Sequence, residues 1–424
     1  MLPFDPRGLQ LALAELDELK ARLDARAALV IAWEGQLGRD LEAAAIHASV
    51  SMEGVPVTVE EVRRILAGDR PLTVSSGDAE LVRGYREAMT YVQGRADDPV
   101  FEWSPELLKA LHHRVLAGRR GAGRYGEGRF LVHDVTNELI YTPPQEGVAR
   151  LIADVCRRMN EWDAHAALRA AWVHIAIAAV HPFKDGNGRT ARILASLAMY
   201  RGDFKRPEFC SLEEWWGNHK DSYYKAFECL GPAFNPDVDV TSFIRAHVEG
   251  QRSQVRALAL REETNRQIWT ALTRVCEHAG LPDRAAFAIW DAYNGRDVVR
   301  PYYRAVTDVS DTSATSDFNG LRAAGLLIAR GRTRGRKYSA GPQLFRRIAD
   351  ELGIQNPDRA DRAVIVREIT ERLGQTQKSF ASVPALSVAT GSALFPDLAP
   401  PLAVTEWPKK VTGKDEAGAT RTTP

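Results

Sequence analysis

Apolar residues recur at spacings of three and four through most of the chain, a pattern that predicts a mainly helical protein. Ala12, Leu16, Leu19 and Leu23 share one face of a helix over residues 9–23. A second helical run covers about 40–53 and stops at Gly54-Val55-Pro56, a glycine suited to a C-terminal cap and a proline close behind it. Thr58 to Glu61 has the form of a capping box that opens a third helix. Further helices are expected over 78–92 and 105–117, the second opened by Ser104 with Pro105 in its first turn. Leu168, Trp172, Ile175 and Ala179 mark another, which Pro182 should end near His181, because proline disfavours helical geometry at the residue before it. Ile193, Leu194, Leu197 and Ala198 restart a helical stripe. Residues 212–229, with Trp215, Trp216, Tyr223 and Tyr224, read as one helix with an aromatic face.

The period changes in two places. Glycines at 121, 123, 126 and 128 precede two short β-prone runs, 130–132 and 139–141, separated by a polar stretch, which predicts a hairpin. From about Glu262 a second helical domain is expected. Within it, two short helices over 302–309 and 313–324 are followed by strand-like 326–328 and 337–338 around an Arg-Gly repeat, so a winged helix-turn-helix is predicted. Its helix 313–324 would be the recognition helix, and Arg332, Arg334 and Arg336 would form the wing. Between Asp317 and Asp350 there are basic residues and no acidic ones, a local field that could hold phosphates; packing, dimerisation or docking is the other use of such a domain. A charged helix over 358–373 and a disordered tail beyond Gln375 complete the reading. The expected divisions are therefore 1–100, 101–250, 255–345 and 355–424.

Composition narrows the classes of function. The 424 residues, 45% hydrophobic and 26% charged, fit about three ordinary globular domains. A net charge of +1 predicts neither bulk attraction to nucleic acid nor a membrane role. Cys156, Cys210, Cys229 and Cys276 are widely spaced, so free thiols in a reducing compartment are expected rather than a zinc site. The start shows no secretory signal, and the longest apolar stretch, 166–180, is interrupted by Arg169 and His174. A cytoplasmic location is expected.

The chemistry concentrates in His181-Pro-Phe-Lys-Asp-Gly-Asn-Gly-Arg-Thr-Ala-Arg192. Gly186 and Gly188, with Asp185 and Asn187, make a tight loop at a helix N-terminus, where backbone amides and the helix dipole favour an anion. Arg189 and Arg192, three apart, lie on one face of that first turn. A base, a carboxylate, an amide nest and two guanidiniums in so short a span describe a phosphate-handling site. His174 shares a helix with His181; a packed core imidazole is expected there rather than a metal ligand, and His112 and His113 are read as structural.

These residues match every specified position of HxFx(D/E)GNGRxxR: His181, Phe183, Asp185, Gly186, Asn187, Gly188, Arg189 and Arg192. The chain thus resembles Fic-domain proteins, the protein adenylyltransferase family, over roughly 40–250. The resemblance implies a Fic-type helical bundle over 101–250 whose hairpin, the flap, lays a target segment across the site. It implies transfer of AMP from ATP to a hydroxyl of a target protein or of the enzyme itself. His181 would be the base, and Asp185 would hold Mg²⁺, a hard ion that takes carboxylate and phosphate oxygens. The amides of Gly186 and Gly188 would cradle phosphates, Asn187 would donate to the α-phosphate, and Arg189 and Arg192 would take the β- and γ-phosphates. Lys184 belongs to the same nucleotide-binding stretch at a variable position and is expected to face solvent. Gly188 stands where the related Doc-type kinases often carry lysine, which favours AMP transfer. Relatives often have a Tyr-Tyr pair with one ring near the adenine, which falls on Tyr224 here, while the asparagine some place seven residues on falls on Gly231.

Ser49-Val-Ser-Met-Glu53-Gly54 resembles the family's inhibitory pattern (S/T)xxxE(G/N), which implies that the helix at about 41–54 carries a brake in which Glu53 competes with the γ-phosphate for Arg192. Some relatives also use this glutamate to remove AMP. The implied alternatives are another nucleotide donor, or a DNA-binding regulator acting through the winged helix. A homodimer is implied by analogy, and the target protein is not legible in the sequence.

Overall fold

The computed structural model describes residues 1–27, 34–126, 131–133, 139–205, 212–331 and 336–380. The protein is mainly helical, with two short antiparallel hairpins and two apolar cores.

The first core is built from α1 (Gln10–Ala27), α2 (Glu34–Met52), α3 (Val59–Leu66), α4 (Ser76–Ala96), α5 (Pro105–Val115), α6 (Val148–Glu161), α7 (Ala166–Val180) and α8 (Asn187–Arg201). Their ends follow local chemistry. Thr58 and Glu61 cap α3 reciprocally, and Ser104 accepts from the Leu107 amide, with Pro105 at the first turn of α5. Gly54 takes a left-handed φ of 80° beyond α2, where a side chain would be strained. At the centre lies α7, buried on nearly every side, as expected of a helix apolar all round. Its alanines let α8 pack closely along it.

The hairpin of β1 (Val132–His133) and β2 (Leu139–Tyr141) lies where the flap was expected. Its connecting residues 134–138, and Phe130 of the first predicted run, lie outside the described residues. Its second strand is anchored: Tyr141 donates its hydroxyl to the Ala179 carbonyl at 2.8 Å, near the end of α7.

The aromatic run at 212–229 is not one helix. It divides into α9 (Leu212–Asn218), α10 (Lys220–Ala226) and a 3₁₀ turn, Phe227–Leu230. His219 leaves helical geometry at φ −129°, ψ 47°, its ring stacked on Trp215 and bonded to the Trp215 carbonyl at 2.8 Å. The boundary expected at 250–255 also falls inside a continuous element, α11 (Thr241–His278). Packing changes along it: Val255 belongs to the first core and Leu258 to the second.

The second core comprises the end of α11 with α12 (Ala286–Tyr293), α13 (Arg300–Thr307), α14 (Asp311–Ala323), β3 (Leu327–Arg330), β4 (Lys337–Ala340), α15 (Leu344–Glu351) and α16 (Arg362–Phe380). Two short helices followed by a hairpin appear in the expected order. Arg332 and Arg334 lie outside the described residues, as does the tail beyond 380; Arg336 is exposed. No helix among the described residues is long and apolar enough to cross a membrane.

Candidate functional site

The junction of α7 and α8 is a folded loop held by its own residues. His181 ends α7 in the left-handed region, at φ 48° and ψ 55°, its amide donating to the Ile177 carbonyl at 2.9 Å. Gly186, at φ 76°, turns the chain into α8, a geometry that glycine adopts without strain. Asn187 closes the loop: its Oδ1 accepts from the Phe183 amide at 2.9 Å, and its Nδ2 donates to the Phe183 carbonyl at 2.7 Å. Both ends of the amide are committed to the backbone, and only the second Nδ2 hydrogen remains for a ligand.

Asp185 is exposed beside the start of α8. Its Oδ1 accepts from the Gly186 amide at 2.6 Å and from Arg189 Nη2 at 3.3 Å, which leaves Oδ2 outside both contacts. Lys184 is exposed, as expected.

The two arginines differ in what they lack. Arg192, 3% exposed, is nearly saturated. Nε donates to the Ser49 hydroxyl at 3.0 Å and Nη1 to the Tyr223 hydroxyl at 3.2 Å. Nη2 donates to the Ser49 carbonyl at 3.1 Å and to Glu53 Oε1 at 2.9 Å. Burial works against its charge, but Tyr223, Glu53 and Tyr85 outweigh that and hold it firmly protonated. Arg189 is equally buried, yet its Nε and Nη1 have no hydrogen-bond partner among the described residues. Glu53 Oε2 stands 4.0 Å from that Nε. A half-satisfied guanidinium in a buried place calls for an anion, because leaving it unpaired is costly.

Glu53 occupies the mouth of this cradle. A methyl group on Gly188 would lie 2.5 Å from Glu53 Oε1 and 3.1 Å from Arg192 Nη1, so the carboxylate sits in the space that this glycine leaves open over the first turn of α8. Beside it is His181, half-buried, whose pKa is lowered, chiefly by burial, against the opposing pull of Glu53 and Asp185. Its imidazole is therefore neutral near pH 7 and able to take a proton.

The structure brings together His181, Asp185, Gly186, Asn187, Gly188, Arg189, Arg192, Ser49 and Glu53. Tyr224 lies at the rim, 55% exposed, its hydroxyl donating to the Met52 carbonyl at 3.3 Å. It is Tyr223, not Tyr224, that reaches Arg192. His174 is a core imidazole: Nε2 meets the Tyr223 hydroxyl at 3.2 Å and Nδ1 meets His247 Nε2 at 3.2 Å. No group of three or more His, Cys, Asp or Glu among the described residues is arranged to hold a metal. Cys156, Cys229 and Cys276 are free thiols, and Cys210 lies outside the described residues.

Sequence reasoning read His112 as structural without its partner Phe183, on which it stacks with ring centres 3.7 Å apart, and missed Tyr85 and Glu213, which join behind Arg192. No local pattern marks them, since each reaches its partner across 70 or more residues.

Residues 102–199 match the Fic/DOC family. The chain is 43% identical over 164 residues to "Protein adenylyltransferase fic-1" of Caenorhabditis briggsae, a match covering 38% of this chain and 32% of that protein. It is 28% identical over 170 residues to "Protein adenylyltransferase Fic" of Drosophila mojavensis, with 38% and 32% covered. The chain thus spans about a third of the length of these curated relatives. Among solved structures, a Fic family protein from Desulfovibrio desulfuricans G20 superposes with a TM-score of 0.51 at 18% identity, over 80% of this chain and 98% of that one, a likeness of fold. The complete signature His181–Arg192 lies inside the matched span, so residues 102–199 carry a Fic domain.

Proposed function

We propose that the protein transfers AMP from ATP to a hydroxyl side chain of a protein, and that Glu53 restrains it. The observation that carries this reading is the buried, half-satisfied Arg189 beside a neutral His181, with a carboxylate lodged in the anion cradle between Arg189 and Arg192. The names of the curated relatives support the choice of reaction.

In this reading the triphosphate lies over the first turn of α8. The substrate hydroxyl gives its proton to His181 as its oxygen forms a bond to the α-phosphorus. The bond from that phosphorus to the bridging oxygen breaks, and pyrophosphate leaves. Arg189 and Arg192 neutralise the leaving charge, and Tyr224 offers an exposed aromatic face to the base. Asp185 suits Mg²⁺ as a single protein ligand, since Oδ2 is left outside its other contacts and magnesium commonly takes one carboxylate plus phosphates and waters. Bound there, the ion would offset phosphate charge.

Glu53 and the outer phosphate would compete for one guanidinium. A charge-assisted hydrogen bond is worth about 1.5–3 kcal/mol, which corresponds to roughly a ten- to 150-fold suppression of the productive nucleotide pose. Labelled ATP tests both parts. Glu53→Gly should raise labelling of the protein itself by at least tenfold, and adding His181→Ala should abolish it. Equal labelling of wild type and Glu53→Gly would remove the brake. Labelling that survives His181→Ala would remove the base. Stronger labelling from UTP would identify a different donor.

In the second unit, α13, α14 and the β3–β4 hairpin have the order and adjacency of a winged helix-turn-helix, which we propose as its class.

A further inference from the structure

Against the loop of the site packs His112. It lies on α5, is 1% exposed, and uses its whole ring on the two walls of the site. One face stacks on Phe183 at an interplanar angle of 4°. Nε2 donates to the Asp185 carbonyl at 2.8 Å, and Nδ1 accepts from the Gly123 amide at 2.9 Å. Those two bonds admit a single neutral tautomer, with hydrogen on Nε2. A methyl group on Gly186 would come within 3.5 Å of the ring.

Gly123 belongs to the segment 121–126 that leads from α5 towards the hairpin. The same segment reaches the site once more, where the Gly126 amide donates to the Pro182 carbonyl at 2.9 Å. One imidazole therefore spans the loop that carries the amides of Gly186 and Gly188 and the approach to the hairpin.

We propose that His112 is a positioning residue for nucleotide binding: through the Asp185 carbonyl it sets the orientation of the Gly186–Gly188 amides, and through Gly123 it ties that loop to the base of the flap. The proposal rests on the nucleotide reading of the site. His112 touches no reacting atom in that reading; it acts through the backbone of Asp185 and Gly186. Rotation of that peptide would turn the amide dipoles away from the cradle.

The two ring nitrogens can be removed separately in the full chain. In His112→Gln the side-chain amide nitrogen takes the place of Nε2, so the Asp185 bond is kept and the Gly123 bond is lost. In His112→Asn the side-chain oxygen takes the place of Nδ1, so the Gly123 bond is kept and the Asp185 bond is lost. Both variants lose the stack on Phe183 and serve as each other's control for packing. Titration calorimetry with Mg·ATP should show about a tenfold loss of affinity in His112→Asn, the equivalent of one net hydrogen bond, and a loss of less than about threefold in His112→Gln. Hydrogen exchange in peptides covering 182–190 should accelerate in His112→Asn only. Exchange that is equal in the two variants, whether both unchanged or both accelerated with a common fall in melting temperature, overturns the proposal. Failure of the wild type to bind ATP overturns the nucleotide reading instead, and the exchange measurement still judges His112.

Discussion

Behind Arg192 lies a second carboxyl whose titration should be visible in the stability of the protein. Glu213, on α9, is 2% exposed. Its Oε1 accepts from the Tyr85 hydroxyl at 2.8 Å, and its Oε2 has no partner among the described residues. It lines a cavity of about 10 Å³ with Arg192, His174, His247, Ser196, Trp216 and Gln251. Burial raises its pKa, against the bonds it accepts and the nearby Arg192, from 4.5 to about 7. His174 and His247 are both driven down by burial and stay neutral, so Arg192 is the cation facing it. Between pH 4.5 and about 7 the folded protein keeps a proton that the unfolded chain has released. Stability must then fall as pH rises through that window and level off above it. From 4.5 to about 7 the difference corresponds to about 3 kcal/mol. Glu213→Gln keeps an acceptor for Tyr85 and cannot ionise. Denaturation followed by tryptophan fluorescence, with Trp216 in the cavity wall, should show the wild type losing about 2 kcal/mol relative to the variant between pH 5 and 7.5, with little further change above about pH 8. Two curves that stay parallel across this range would refute the reasoning.

Two further substitutions probe the cradle. Gly188→Ala places a methyl group 2.5 Å from Glu53 Oε1 and should displace it, costing about 1.5–3 kcal/mol in the wild type. In a Glu53→Gly background the cost should vanish, and a thermal double-mutant cycle without that coupling would place Glu53 elsewhere. Asn187→Ala leaves the buried amide and carbonyl of Phe183 unpaired and should cost roughly 2–4 kcal/mol, with faster exchange of the Phe183 amide. An unchanged melting temperature would show that the loop does not depend on this clip.

Much of this protein is decided locally. The capping box at Thr58 and Glu61, the proline-opened start of α5 and the hairpin at 139–141 all appear where short-range chemistry puts them. The motif is local as well: the glycine that turns the chain and the helix whose amides it exposes lie within a few residues of one another. Periodicity was less informative where packing overrides it. The aromatic stripe at 212–229 has helical spacing throughout, yet the helix breaks at His219, whose ring stacks on Trp215. The core changes between Val255 and Leu258 while α11 stays unbroken, because a continuous helix can present one stretch of its side chains to each core.

The partners of the motif belong to the tertiary structure. The pattern at 49–54 implied that Glu53 meets Arg192, but nothing near residue 192 shows that Ser49 and Tyr223 also hold its guanidinium, or that Arg189 beside it is left half-satisfied. Nor does the context of His112 disclose that it braces a loop 73 residues away. Short-range spacing encodes caps, turns and helix faces, because those depend on neighbours fixed by the chain itself. Which charges are paired, and which are left for a ligand, depends on how helices from distant segments pack, and that is settled only when the core closes around them.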